Sequence, residues 1–136
     1  MKIKLDEGAL VPSRAHPTDA GLDLYLYDEV VRIPPHGHAK VRTGVHVEIP
    51  TGCVGLLTSK SGLMCDGVTC RGTIDAGYTG EIYPVLFNHG DRTAMFYRGQ
   101  KVTQLVILPC LTPELEIVDE LSDTDRGSSG FGSTGR

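Results

Sequence analysis

The sequence predicts an all-β domain of the sandwich, jelly-roll or partly closed barrel class. Three observations carry that expectation. Apolar residues alternate with polar ones at period two, not 3.6. Glycine and proline break the chain at short intervals: PPHG at 34–37, PTG at 50–52, HGD at 89–91, RG at 98–99 and Pro109. Helix is hard to place, since only residues 113–125 run free of internal breakers and their start, ELEIV, reads as strand.

The elements follow in order. Leu22, Leu24 and Leu26 alternate with Asp23, Tyr25 and Tyr27. Val41, Val45, Val47 and Ile49 share one parity around Gly44. Residues 53–57, 82–87, 102–108 and 115–118 complete at least six short strand candidates. Two β-type runs, 67–70 and 81–87, enclose the stretch RGTIDAGYTGE at 71–81. There Gly72, Gly77 and Gly80 flank Asp75, a carboxylate that reads as buried, and Tyr78. Glycine lets a backbone turn sharply or approach a ligand closely. A turn carrying Asp and Tyr between strands can hold a small planar ligand; the plain alternative is a hairpin whose Asp caps its own turn.

A chain of 136 residues is one domain with a real core. The formal net charge of −4 does not favour nucleic acid, though a local basic cluster could take a small phosphorylated molecule. No apolar run approaches the roughly 18 residues of a membrane span. The start, MKIKLDEG, lacks the apolar region of a signal peptide, so a cytoplasmic location is expected. Cys53, Cys65, Cys70 and Cys110 lack zinc-site spacing and read as buried or half-buried free thiols. The five histidines form no i,i+4 pair and read as surface or turn residues.

Four other stretches exceed ordinary turns. In AHPTDAGLDLY, at 15–25, Asp23 points away from the leucine face and reads as a solvated strand residue. TSKSG, at 58–62, offers two hydroxyls, an ammonium and a glycine N–H: a small anion nest, or a polar turn. In GQKVTQLV, at 99–106, Gln104 lies inside an apolar run, where an amide needs partners. The last, RGSSGFGSTGR at 126–136, matches the dinucleotide fingerprint by letter, but no helix can follow it. Its composition is that of a tail. A flexible arm that orders over a nucleotide would use Phe131 to stack on a base, and Arg126, Ser133 and Thr134 for phosphates.

Together the five stretches AGLDL, SKSG, GTIDAGYTG, the Gln104 segment and RGSSGFGSTG resemble the homotrimeric dUTP pyrophosphatase (dUTPase) family, over nearly the whole chain. The resemblance implies a jelly-roll-like, β-clip subunit over residues 1–125 and a flexible C-terminal arm, 126–136, closing over the nucleotide. It implies hydrolysis of dUTP to dUMP and pyrophosphate with Mg2+ on the triphosphate, at three sites shared between subunits. Asp75 matches the residue that activates the attacking water at the α-phosphorus, and Tyr78 the aromatic beneath the deoxyribose. Backbone groups of Gly72, Thr73 and Ile74 match those that read uracil. Lys60, Ser61, Gly62 and Gln104 fall on the phosphate side, Thr69 on the base side. Asp23 matches the acid that acts through metal-bound water. Arg126, Phe131, Gly132, Ser133 and Thr134 match the closing arm.

The chain departs from the family in three places. Arginine usually stands where Lys60 is, and lysine is a point charge without a bidentate fork. Thr69 replaces a frequent asparagine, and the segment between Ser61 and Asp75 is short. Two other functions share the scaffold: a non-catalytic nucleotide-binding regulatory module, and a dCTP deaminase, for which Glu81 is the nearest candidate acid/base.

Overall fold

The computed structural model describes residues 1–125, 127 and 128. Ten strands and one helical turn follow in order: β1 (Lys2–Leu5), β2 (Gly21–Tyr25), β3 (Val30–Ile33), β4 (His38–Lys40), β5 (Val45–Glu48), β6 (Cys53–Thr58), α1 (Ser61–Cys65), β7 (Val68–Ile74), β8 (Val85–Asn88), β9 (Ala94–Tyr97) and β10 (Lys101–Pro109). The fold is the expected all-β, jelly-roll-like one. A six-stranded sheet of order β2-β10-β6-β7-β8-β4 is flanked by the pairs β1-β5 and β3-β9. Every pairing is antiparallel. Among the described residues no helix is long and apolar enough to cross a membrane.

Strand alternation builds the core. Leu24 and Leu26, Val45 and Val47, Leu57, Val68 and Cys70, Leu86 and Leu105 are buried in one cluster with Val41, Ile82 and Val102. Gly44, at φ +65°, turns the chain into β5, and a Cβ there would strike Ala9 and Tyr27. Gly67, at φ +78°, stops α1 and returns its N–H to the Met64 carbonyl at 3.0 Å. The chain then enters β7 directly.

Several expectations need correction. Residues 115–118 form no strand: Leu115 and Ile117 are 94% and 100% exposed and pair with no strand among the described residues. A strand needs a partner, and alternation alone does not supply one. The polar turn at 58–62 contains the start of α1, whose five residues are too few to read as helix. Residues 71–74 belong to β7, while 81–84 lie outside β8. Cys65 is exposed, because α1 buries none of its residues. His46 is half-buried on β5, bridging the Thr79 carbonyl and Asp6.

Candidate active site

Strand β7 changes partner halfway. Val68, Thr69 and Cys70 pair with Asn88, Phe87 and Leu86 of β8. Arg71 to Ile74 instead pair with Thr58 to Gly55 of β6, on the other side. Pro84 marks where the β7–β8 ladder fails, since proline has no N–H to give it. The chain before it is drawn elsewhere. Ile82 donates its N–H to the Val45 carbonyl at 2.8 Å, and the Pro84 carbonyl accepts from the Val41 N–H at 2.9 Å. The second half of β7 therefore keeps one backbone edge open. Beside it lies a cavity of about 230 Å³ lined by Lys40, Thr73, Ile74, Asp75, Tyr78, Glu81 and Tyr83.

The turn above this cavity carries the expected pair. Asp75 is exposed rather than buried, and its carboxylate meets no donor among the described residues. The Tyr78 N–H donates to the Asp75 carbonyl at 3.0 Å, closing the turn. The Tyr78 hydroxyl donates to the Glu81 carbonyl at 2.7 Å, which fixes the ring while leaving it 43% exposed. Of the three glycines, none has positive φ. Gly80 is needed because a Cβ would collide with the Tyr78 hydroxyl, Gly72 packs closely on Leu57, and Gly77 faces open space.

Glu81 is buried and occupied. It accepts from Arg42 Nε at 3.2 Å and Nη2 at 3.1 Å, and from the N–H groups of Thr43 at 3.2 Å and Gly44 at 2.8 Å. Burial pushes its carboxyl up. The Tyr83 hydroxyl, the Gly44 N–H and the Arg42 guanidinium more than reverse this and hold it below the usual carboxylate range.

A second polar group gathers across the sheet. Register aligns Asp23 on β2 with Gln104 on β10, Thr58 on β6 and Arg71 on β7. Asp23 is not solvated as its parity suggested: it is 5% exposed, because two lysines cover it. Lys60 donates to one carboxylate oxygen and Lys101 to the other, the latter at 2.7 Å. Burial pushes the Asp23 carboxyl up, but the two ammoniums outweigh it and keep the group below its ordinary range. Asp23 in turn raises Lys101. A cavity of about 310 Å³ opens onto this corner, lined by Asp19, Gly21, Asp23, Lys60, Lys101 and Gln104 among others. Gln104 is the satisfied amide, donating to the Ser59 carbonyl at 3.3 Å, and it lies where a Cβ on Gly21 would be. Ser59 latches β7: its Oγ donates to the Cys70 carbonyl at 3.0 Å and accepts from the Cys70 N–H at 2.8 Å.

The chain thus brings Asp23, Lys60 and Gln104 together, and separately Thr73, Ile74, Asp75 and Tyr78. Three strand spacings of ~4.8 Å and four residues of ~3.3 Å put Asp23 and Asp75 roughly 20 Å apart. Ser61 and Gly62 are exposed on α1 and line neither cavity. Thr69 lines a third cavity with Ser59 and Arg71 and bonds His89 Nε2 at 2.8 Å. Arg126, Phe131, Gly132, Ser133 and Thr134 lie outside the described residues. Lys101, Lys40 and Arg42 were missed by sequence reasoning. Lys101 stands three residues before Gln104 and could have been found; a lone charge such as Arg42, between β4 and β5, gives no signal. Among the described residues no group of three or more His, Cys, Asp or Glu could hold a metal ion.

Comparison with known proteins agrees over the full length. A family model described as dUTPase matches residues 7–135. The deoxyuridine 5'-triphosphate nucleotidohydrolase of Clostridium tetani is 43% identical over 141 residues, covering 100% of this chain and 97% of the relative. That of Gloeothece citriformis is 42% identical, covering 97% and 93%. Among solved structures, a mutant dUTPase of Staphylococcus bacteriophage 80alpha with dUpNHpp superposes with a TM-score of 0.91 at 34% identity, covering 99% and 98%. A mutant dUTPase of phage phi11 of S. aureus, described with a structural Mg(II) ion, gives a TM-score of 0.81 at 34% identity, covering 90% and 98%.

Proposed function

The chain belongs to the dUTPase family, and from that premise we propose that it hydrolyses dUTP to dUMP and pyrophosphate in the split of β7. The observation that carries this reading is the open backbone edge of Arg71 to Ile74 beside Asp75 and Tyr78. Uracil is small and has no 5-methyl group. Gly72 and Ile74 give their backbone groups to β6 and hold the strand, so the free N–H and C=O of Thr73 between them pair with its edge as a neighbouring strand would, and the narrow split refuses thymine. The exposed face of Tyr78 lies beneath the deoxyribose and leaves no space for a 2′-hydroxyl.

Phosphoanhydride hydrolysis asks for a placed water and for donors on the phosphates. Asp75, exposed and without a protein donor, holds that water and takes its proton. The water oxygen bonds to the α-phosphorus, the bond to the bridging oxygen breaks, and its electron pair leaves with pyrophosphate. A general base contributes about 10²–10⁴-fold. Lys60, Ser61, Gly62 and Gln104 take the phosphates. Arg126, Phe131, Gly132, Ser133 and Thr134 close over the bound nucleotide, with Phe131 on the base.

Mg2+ bound to the triphosphate would spread its charge. The donor set fits an ion that arrives with the substrate: one ionised carboxylate, Asp23, and no cluster of three ligands among the described residues. Asp23 is the residue that would hold such an ion, acting through its bound water. Its separation from Asp75 supports sites completed by another copy of the chain. So does the bare apolar run Leu111, Leu115, Ile117 and Leu121, each at least 88% exposed. A homotrimer with shared sites satisfies both.

The deaminase reading loses ground because its candidate acid/base, Glu81, is held ionised by Arg42 and two backbone N–H groups. The test is pyrophosphate and ammonia release from dUTP, UTP, dCTP and dTTP, with and without EDTA. Pyrophosphate from dUTP alone, abolished by EDTA, is expected. Ammonia from dCTP, or no pyrophosphate from dUTP with Mg2+ present, overturns the assignment.

A further inference from the structure

We infer that Arg42 is a positioning residue for sugar selection, acting on Tyr78 through Glu81. The inference rests on the dUTP reading of the same pocket. Arg42 lies outside all five stretches that carry the family resemblance and does not line the cavity. Yet it is the centre of a chain of contacts that ends on the sugar-facing ring.

The guanidinium forks onto Glu81, with Nε at 3.2 Å from each oxygen and Nη2 at 3.1 Å from Oε2. Nη2 also reaches Asp6 Oδ2 at 2.9 Å. The planar group lies over the Tyr27 ring, 4.5 Å from its centroid, and the Tyr27 hydroxyl donates to the Glu7 carbonyl at 3.0 Å. Arg98 stands over the same ring at 5.1 Å, Asp28 accepts the Arg42 N–H at 3.4 Å, and the Tyr83 hydroxyl also faces Glu81. The fork therefore has one orientation, set by ring, acid and backbone together. Glu81, pinned by that fork and by the N–H groups of Thr43 and Gly44, cannot rotate. Its carbonyl is the acceptor for the Tyr78 hydroxyl at 2.7 Å. Gly80, between them, has room for no side chain. The ring that meets the 2′ position is thus referenced to Arg42, across the turn from Asp75.

A purely structural ion pair would change stability and every substrate alike. Positioning predicts something narrower. The base is read by backbone of β7, which is held by β6 and not by Arg42. Loosening Arg42 should admit UTP without admitting dCTP.

The experiment measures kcat/KM for dUTP, UTP and dCTP on wild type, Arg42→Met, Arg42→Lys, Tyr78→Phe and the double variant Arg42→Met with Tyr78→Phe. Losing one anchoring hydrogen bond corresponds to about three- to tenfold. The dUTP/UTP ratio should fall by that factor in Arg42→Met and in Tyr78→Phe, with dUTP/dCTP unchanged. In the double variant the ratio should fall no further, since both changes cut one path. Arg42→Lys, which keeps the charge but loses the fork, is read in the same way should Arg42→Met fail to fold. A dUTP/UTP ratio changed less than about threefold, equal losses for UTP and dCTP, or multiplicative effects in the double variant overturn the inference. If wild type hydrolyses no dUTP, the hydrolase reading fails on its own, and dissociation constants for dUMP and UMP on the same variants still test Arg42.

Discussion

The split of β7 and the corner around Asp23 are both polar cavities, but they are held open by opposite means. In the split the protein leaves groups unpaired: the backbone edge of residues 71–74 and the Asp75 carboxylate. In the corner the buried carboxylate is already paired, with Asp23 between Lys60 and Lys101. A neutral base edge can enter the first without displacing any ion pair. An anion entering the second must draw the lysines from Asp23, or a metal-bound water must take their place on it. On the proposed reading, recognition and chemistry fall to the unpaired region, and charge exchange to the paired one.

The largest effect should follow from Asp75→Asn. The side chain keeps its shape but cannot take a proton, so kcat should fall at least about 100-fold while dUTP binding and melting temperature stay the same. Near-normal kcat in a steady-state assay would remove Asp75 from the chemistry and reduce the split to a binding pocket.

The next effect tests whether the two regions of one site come from different copies. Asp75→Asn disables the split; Gln104→Glu puts a carboxylate where a phosphate should sit and disables the corner. Each alone should be nearly inactive. If a site takes its split from one copy and its corner from another, unfolding and refolding the mixture at random returns up to about a quarter of the sites. Background activity, with mixed trimers confirmed by mass, would mean that each subunit completes its own site.

Legibility divided along the same line. β2, β5, β6 and β10 were readable because each sends apolar side chains into the core and is bounded by turn residues, although only β5 alternates strictly. β1, β3, β4 and β9 escaped: each has three or four residues and only Ile33 and Phe96 among them are buried, so there is little pattern to see. The open region was visible as letters, since Asp, Tyr and Gly declare a turn, but the broken ladder was not: Pro84 reads as part of one strand with Val85 to Phe87. The paired region was not. Parity correctly turned Asp23 away from the leucines, but parity says nothing about what covers the other face. Lys60 lies 37 residues away and reaches Asp23 only after β2, β10 and β6 align. Residues 115–118 failed in reverse: the pattern of a strand was present and the partner was not.

A smaller effect concerns acid stability. The folded pKa of Asp23 lies below its ordinary value, so its pairing contributes stability above the unfolded pKa of about 3.9. That contribution fades as pH falls through the lower, folded value. Wild type should therefore lose melting temperature below about pH 4 more steeply than Asp23→Asn, although the variant is the less stable at pH 7, where two lysines face an amide. Parallel melting curves between pH 7 and pH 2 would show that the corner is solvated in solution and that its ion pairs contribute nothing.

The smallest effect should come from Lys60→Arg, and it asks whether the corner is tuned by charge or by shape. Lys60 and Lys101 each give one point contact to one oxygen of Asp23. An arginine at 60 could span both oxygens with its fork and release Lys101, or could turn the fork to a phosphate and leave Asp23 to Lys101. Either rearrangement frees one cation for the incoming triphosphate. Partly exposed pairs are worth about 0–1 kcal/mol, so the gain is limited to roughly fivefold. KM for dUTP should fall by two- to fivefold, roughly, with kcat unchanged, because binding improves equally in ground and transition states. The gain should shrink as ionic strength rises, since the corner opens to solvent. A lower kcat with unchanged KM would place residue 60 in the transition state instead, and the corner would then share the chemistry with the split. An unchanged KM at low salt would mean that a point charge already does all that the position requires.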